Sequence, residues 1–251
     1  MAKRRKLKIR RVVIAIIIAI GICFGIYKGF TYVIHYVNSL FPQTTEDMEE
    51  EKESEKEEKI YIGTVVIDPG HGGWDAGANR GDLYEKDITL KISKAIAEEI
   101  EKSNIKAVLT RSDDNALAND KISDLQLRCD TSVKNNADYF VSIHVNDHET
   151  VPEVSGFEIY IKNEESQSLA NNVSQQIETL NYSPNRGFID GHILAVLRDN
   201  KVPSILIEVG YIEGDYNYLS DDNKLEKLGQ SIGKGIIEQF TSAKVEQENT
   251  D

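Results

Sequence analysis

Cysteine is scarce in this chain: there are two, Cys23 in an apolar segment and Cys129 in a predicted helix. They are not expected to pair, which excludes a disulfide-stapled fold and a cysteine-based metal site. Acidic residues are missing from the first 41 positions, where Lys3, Arg4, Arg5, Lys6, Lys8, Arg10, Arg11 and Lys28 supply eight bases. Beyond that point bases become the minority, 21 against all 42 acids of the chain. That balance argues against a nucleic-acid partner, because phosphate binding needs a basic face. The sequence also has no internal repeat.

What is present falls into blocks. After the basic start, Val12 to Tyr27 is an uncharged, Ile-rich run of 16 residues, interrupted by Lys28 and resumed through Phe30, Tyr32 and Tyr36. A membrane span takes about 20 apolar residues, and Lys28 can snorkel while the aromatics sit at an interface. No A-x-A-like cleavage site follows, and Ile22 before Cys23 spoils a lipoprotein-type site, so an uncleaved anchor is expected in place of a signal peptide. The positive-inside rule then puts the N-terminus in the cytoplasm and the remainder outside as a single-pass protein of the cell membrane. Residues 42–59 hold nine acids against three lysines and are expected to form an extended, solvated linker. The expected organisation is a tail and anchor over 1–41, the linker over 42–59, a catalytic domain over 60–241 and a polar tail over 242–251.

From Ile60 strand and helix patterns alternate. TVVID (64–68), KAVLT (106–110), YFVSI (139–143), GFEIYI (156–161), ILAVL (193–197) and SILIE (204–208) predict strands. Asp87 is placed to cap a helix from Ile88 to about Lys102, whose Ile88, Ile92, Ile96 and Ile100 form one apolar stripe. Further helices are predicted around Leu125 to Asn136, Ser166 to Leu180 and Leu225 to Phe240. Such alternation implies an α/β fold with a mostly parallel sheet flanked by helices.

In open α/β sheets, sites form beyond the carboxyl ends of the strands. His71 follows TVVID among glycines 70, 72, 73 and 77, whose missing side chains give metal or ligand clearance to reach the imidazole, His144 follows YFVSI, and Glu208 ends SILIE. Glu85 stands immediately before the helix that Asp87 would cap. Taken singly, each has an ordinary structural explanation, such as a hydrogen-bonded turn histidine or a carboxylate at a helix start. Taken together at one sheet edge, two histidines and two carboxylates make the minimum kit of a hydrolytic zinc site. Asp68 can orient a ligand from behind or close the strand end structurally. The remaining histidines, His35, His148 and His192, are read as structural, and of these His192 is the one nearest to reaching the site.

The ordered stretches IDPGHGGWDAGA (67–78), YEKDITL (84–90), LTRSDD (109–114), Leu125 and Arg128 ahead of NNAD (135–138), SIHVN (142–146), NRG (185–187) and VLRDNKVPSILIEVGYI (196–212) resemble the zinc-dependent N-acetylmuramoyl-L-alanine amidases of the amidase-3 type. The resemblance spans about residues 62–240. It implies one zinc ion held by His71, Glu85 and His144, with Glu208 as the catalytic residue. The implied substrate is peptidoglycan, cut between the lactyl group of N-acetylmuramic acid and L-alanine of the stem peptide. The family commonly continues with Ser-Asn where this chain has Glu213-Gly214, and some relatives insert an inhibitory helix where this chain has only Asp147 to Ser155. The anchor and bare catalytic domain also resemble the membrane-anchored amidases that make the spore cortex. The competing readings are a zinc peptidase acting on another wall amide and a catalytically silent wall-binding or activator protein.

Overall fold

The computed structural model of the chain describes residues 28, 29, 31–33, 36, 60–148, 150, 151 and 153–248. The expected linker, and all but a few residues of the expected anchor, lie outside the described residues. Among the described residues no helix is long and apolar enough to cross a membrane. The chain divides into two units, Met1–Glu58 and Lys59–Asp251, and the second carries the site.

Its elements follow in order as β1 (Gly63–Pro69), a small hairpin of β2 (Asn79–Arg80) and β3 (Leu83–Tyr84), α1 (Glu85–Glu101), β4 (Ile105–Leu109), α2 (Lys121–Lys134), β5 (Tyr139–Asn146) and β6 (Phe157–Ile161). A 3-10 turn leads into α3 (Gln167–Glu178), then β7 (Asn185–Asp190), α4 (Ala195–Arg198), β8 (Ser204–Tyr211), α5 (Tyr216–Leu219) and α6 (Asp222–Glu248). The main sheet runs β4-β1-β5-β8-β6-β7, and every pairing is parallel except β6 with β8. The expected α/β layer with a mostly parallel sheet is what forms.

The two faces of this sheet are covered unequally. Side chains alternate along a strand, and the odd positions Val65, Ile67, Val141, Ile143, Ile205 and Ile207 join the large core with the Ile88, Ile92, Ile96 and Ile100 stripe of α1. All four isoleucines are 1% exposed or less, and each contributes about 1.5–3 kcal/mol relative to an exposed position. The even positions Val66, Phe140 and Leu206 form a smaller cluster with Val196 and Leu197 of α4. Further along the same strands the even positions turn polar: Asp68, Ser142, His144 and Glu208. One face is therefore built for stability, and the carboxyl end of the other for chemistry.

Several boundaries differ from expectation. The run ILAVL (193–197) is not a strand; its second half winds into α4, because Val196 and Leu197 can be buried against the sheet face from a helical turn. The missing strand is NRGFID, an edge strand with no fully buried residue on either face and so no apolar alternation. Asp87 is not the cap of α1: the helix starts at Glu85 after an extended Tyr84, and Asp87 lies in its first turn. The last helix passes Phe240 and continues to Glu248, through most of the expected polar tail. Among the described residues from Asp147 to Ser155 there is no helix, as the short segment implied.

Candidate metal centre

His71, Glu85 and His144 come from three segments, and one ligand atom from each lies within 4.8 Å of the others. His144 is carried by β5 itself. Its register partner on β8 is Glu208, and Glu208 in turn faces Glu158 on β6. His71 sits just past β1, and Glu85 is the first residue of α1. A carboxylate there is favoured by the positive end of the helix.

The Glu85 carboxylate is held from four directions. Oε2 accepts from the Ala78 amide at 2.8 Å and lies 3.1 Å from His71 Nε2. Oε1 accepts from the Val145 amide at 2.9 Å and lies 2.9 Å from His144 Nδ1. Burial works against its ionisation, but hydrogen bonds from the two histidines and their charge outweigh it and hold the carboxyl well below the usual range. Burial also works against charging His71, while Glu85 and Asp75 raise its pKa above the ordinary value. The two imidazoles meet edge to face with centroids 5.0 Å apart. The glycine clearance expected around His71 has a definite target. A Cβ on Gly70 would come within 2.6 Å of His144 Nε2, and one on Gly77 within 2.8 Å of the His71 ring.

His71 itself has φ of 61°, a conformation that L-residues rarely adopt. Two buried arginines hold it there. Arg128 donates to the carbonyls of Pro69 (2.8 Å) and His71 (2.6 Å), and Arg111 to those of Pro69 (3.0 Å) and Gly70 (2.8 Å). Asp68 is wholly buried and accepts from Arg128 (2.8 Å), Thr110 (2.6 Å) and Ser142 (2.7 Å). Burial opposes its ionisation, yet Arg128 and the two hydroxyls hold its pKa below the ordinary value. Its hydrogen bonds thus run to Arg128, which in turn holds the His71 backbone.

Glu208 has one carboxyl oxygen, Oε2, that is buried without a hydrogen-bond partner. Burial, then the nearby Glu85 and Glu158 charges, push its pKa well above the ordinary range. Glu158 is the neighbour that sequence reasoning missed. Its Oε1 accepts from Asn146 Nδ2 (2.9 Å) and from the Tyr160 hydroxyl (3.2 Å), while Arg186 approaches Oε2 at 3.4 Å. Its one signal was an acidic residue within an otherwise apolar strand. The roles of Arg111 and Arg128 were also missed, although both stood in the stretches that carried the resemblance. His192 does not join the cluster; it is exposed and pairs with Asp190 at 2.7 Å. Cys129 is buried and free. The unusual Glu213 is tied down locally, with Arg80 reaching its carboxylate and carbonyl at 3.2 Å and stacking over Tyr216.

Two imidazoles and a carboxylate on converging elements could hold a metal ion, beside a buried second carboxylate with an open oxygen. The fold and site together define an α/β domain with a candidate metal site at the carboxyl edge of a mostly parallel sheet. A family model described as N-acetylmuramoyl-L-alanine amidase matches residues 65–238, and the chain belongs to this family of cell-wall amidases. It is 33% identical over 184 residues to the probable cell wall amidase LytH of Staphylococcus aureus, a match covering 71% of this chain and 59% of that protein. It is 34% identical over 185 residues to the uncharacterized protein YqiI of Bacillus subtilis, covering 71% and 85% respectively. Among solved structures, the N-acetylmuramoyl-L-alanine amidase AmiC2 of Nostoc punctiforme is 36% identical with a TM-score of 0.67, covering 72% of this chain and 99% of that one. The chain is accordingly an enzyme, a peptidoglycan amidase.

Proposed function

We propose that this amidase is zinc-dependent and cuts the amide between the lactyl group of N-acetylmuramic acid and L-alanine, working outside the cell membrane from an N-terminal anchor. The observation that carries the reading is the His71, Glu85 and His144 cluster with Glu208 in register beside it. The residues fit a zinc ion on their own chemistry: the donors are two nitrogens and a carboxylate, they face one another, and small glycines leave the space open. His71, Glu85 and His144 would hold the ion. A bound zinc supplies Lewis acidity for the carbonyl and lowers the pKa of water.

The chain's own residues account for the rest. Glu208, with Oε2 free of competing donors, takes the proton of the attacking water and hands it to the leaving amine. Asp75 Oδ1 lies 2.9 Å from His71 Nδ1, a contact that leaves the other ring nitrogen facing Glu85 at 3.1 Å. Arg111 and Arg128 hold the loop carbonyls, so His71 does not have to be ordered when substrate arrives.

The test is digestion of purified peptidoglycan by the full chain, with and without a chelator, followed by mass analysis of the fragments. New free L-alanine amino ends with intact lactyl carboxylates, lost on chelation and restored by zinc, are expected. Cleavage within the stem peptide would refute the bond assignment. Protease shaving of intact cells tests the location, since an extracytoplasmic domain must be accessible from outside. A spore-cortex role follows if deleting the gene depletes peptide-free muramic acid in spores and leaves vegetative walls unchanged; the reverse pattern refutes it.

A further inference from the structure

We propose that Trp74 is a stacking platform for a pyranose ring of the peptidoglycan glycan, set on the rim of the metal-ligand cluster. The inference rests on the amidase reading, which is what brings a glycan to this rim. Trp74 is the only tryptophan of the chain and is 53% exposed. Tryptophan is among the side chains with most apolar area to hide, so an indole held half in water calls for an occupant.

This exposure does not come from a loose loop. Indole Nε1 donates to the Ala118 carbonyl at 2.9 Å. On one side of Trp74, the Gly73 amide donates to Asp114 Oδ1 at 2.9 Å and the Gly73 carbonyl accepts from Lys86 Nζ at 3.1 Å. Gly72 and Asp75 exchange two backbone hydrogen bonds around it, 2.9 and 3.1 Å long. Gly73 has φ of 58°, and a Cβ there would lie 2.7 Å from the Ala116 amide nitrogen, so this turn requires glycine. The indole is therefore presented in a fixed orientation. With its single N–H already engaged, what remains for a ligand is the ring face, which suits the CH face of a sugar ring. A charged stem peptide would find no polar atom on the indole to pair with.

The position fits as well. Asp75, the next residue, contacts His71 Nδ1 and is bonded by Lys121. Lys121 also lines a cavity of about 200 Å³ together with His71, His144 and Leu125. His71 and His144 thus open onto this cavity, and Trp74 is tied to its edge through Asp75, which bridges His71 and Lys121. In the proposed substrate only the short lactyl arm separates the scissile carbonyl from the muramic ring, so a sugar beside the rim keeps the carbonyl within reach of the cluster.

One tryptophan makes the test direct, because emission excited where tyrosine does not absorb reports this residue alone. The full chain in detergent micelles is titrated with glycan strands stripped of all peptide, which contain no amide that the enzyme could cut at the lactyl group. A saturable emission change and protection from acrylamide quenching are expected, with no response to free stem peptide. Trp74→Ala should weaken sedimentation with those strands about tenfold, Trp74→Phe less, as expected for one aromatic contact. It should raise KM for peptidoglycan more than it lowers kcat. Unchanged emission at saturating glycan while peptidoglycan is digested normally overturns the platform and spares the amidase reading. A response to stem peptide in place of glycan overturns it too. A glycan response in a chain that digests no peptidoglycan supports the platform and refutes the amidase reading.

Discussion

Replacing Arg128 by Met tests whether the charge buried beneath the site is what holds the His71 loop. The guanidinium is 3% exposed and reaches Asp68 at 2.8 Å and Asp124 at 2.6 Å, whose side chains are 0% and 5% exposed. It also carries the carbonyls of Pro69 and His71. Met fills much of the same volume, so the change removes charge and donors more than packing. Asp68 would keep Thr110, Ser142 and the more distant charge of Arg111, and Asp124 the Leu117 amide, but neither would keep its ion pair. Leaving a buried charge unpaired costs about 3–5 kcal/mol, against a typical total stability of about 5–15 kcal/mol. At about 2–4 °C per kcal/mol for a domain of this size, the melting temperature should fall by about 6–20 °C. Adding Asp68→Asn to Arg128→Met removes one orphaned charge and should recover part of the loss, a non-additivity that a double-mutant cycle measures directly. Calorimetry or denaturant unfolding of the two single variants and the double variant supplies the numbers. An Arg128→Met protein within about 1 kcal/mol of the parent, or a double variant less stable than Arg128→Met alone, would refute the buried-charge argument.

Glu208→Gln should keep bound zinc by metal analysis and lose at least about a hundredfold in kcat on peptidoglycan, the contribution ordinarily made by a positioned proton carrier. His71→Ala should lose both metal and turnover; retained stoichiometric zinc would remove His71 from the ligand set. Asp75→Asn should weaken zinc affinity by about 10–100-fold without changing the products, as expected when the partner of a ligating imidazole is removed. Stability should also respond to pH through Asp68, whose folded-state pKa lies below its ordinary 3.8. That contribution is fully present above the unfolded value and is lost as pH falls through the folded one. Unfolding midpoints should thus drop on acidification below about pH 4, and Asp68→Asn should flatten that part of the profile.

Much of this molecule was legible in its amino-acid order because the relevant signals are local. The apolar runs of β1, β5 and β8 and the four-residue spacing of isoleucines in α1 follow from how strands and helices bury one face. The glycines around His71 were legible as clearance, and the order of the motifs carried the family. A short apolar run is ambiguous, however, and ILAVL was assigned to a strand although α4 buries Val196 and Leu197 in a helical turn. NRGFID, although its first three residues form one of the motifs, was not legible as a strand because neither of its faces is buried enough to demand apolar alternation.

The tertiary structure decided what distance along the chain conceals. Arg128 lies 57 residues from His71 and holds its carbonyl; Glu158 acquires meaning only when antiparallel pairing sets it opposite Glu208. Residue types and local periodicity determined which side chains could do the chemistry and roughly which elements carry them. Which face of the sheet they share, which charges neutralise one another beneath it, and where the indole of Trp74 stands relative to the cluster were set by long-range packing. No local pattern encodes those relations, because each depends on strands that meet only after the chain has closed on itself.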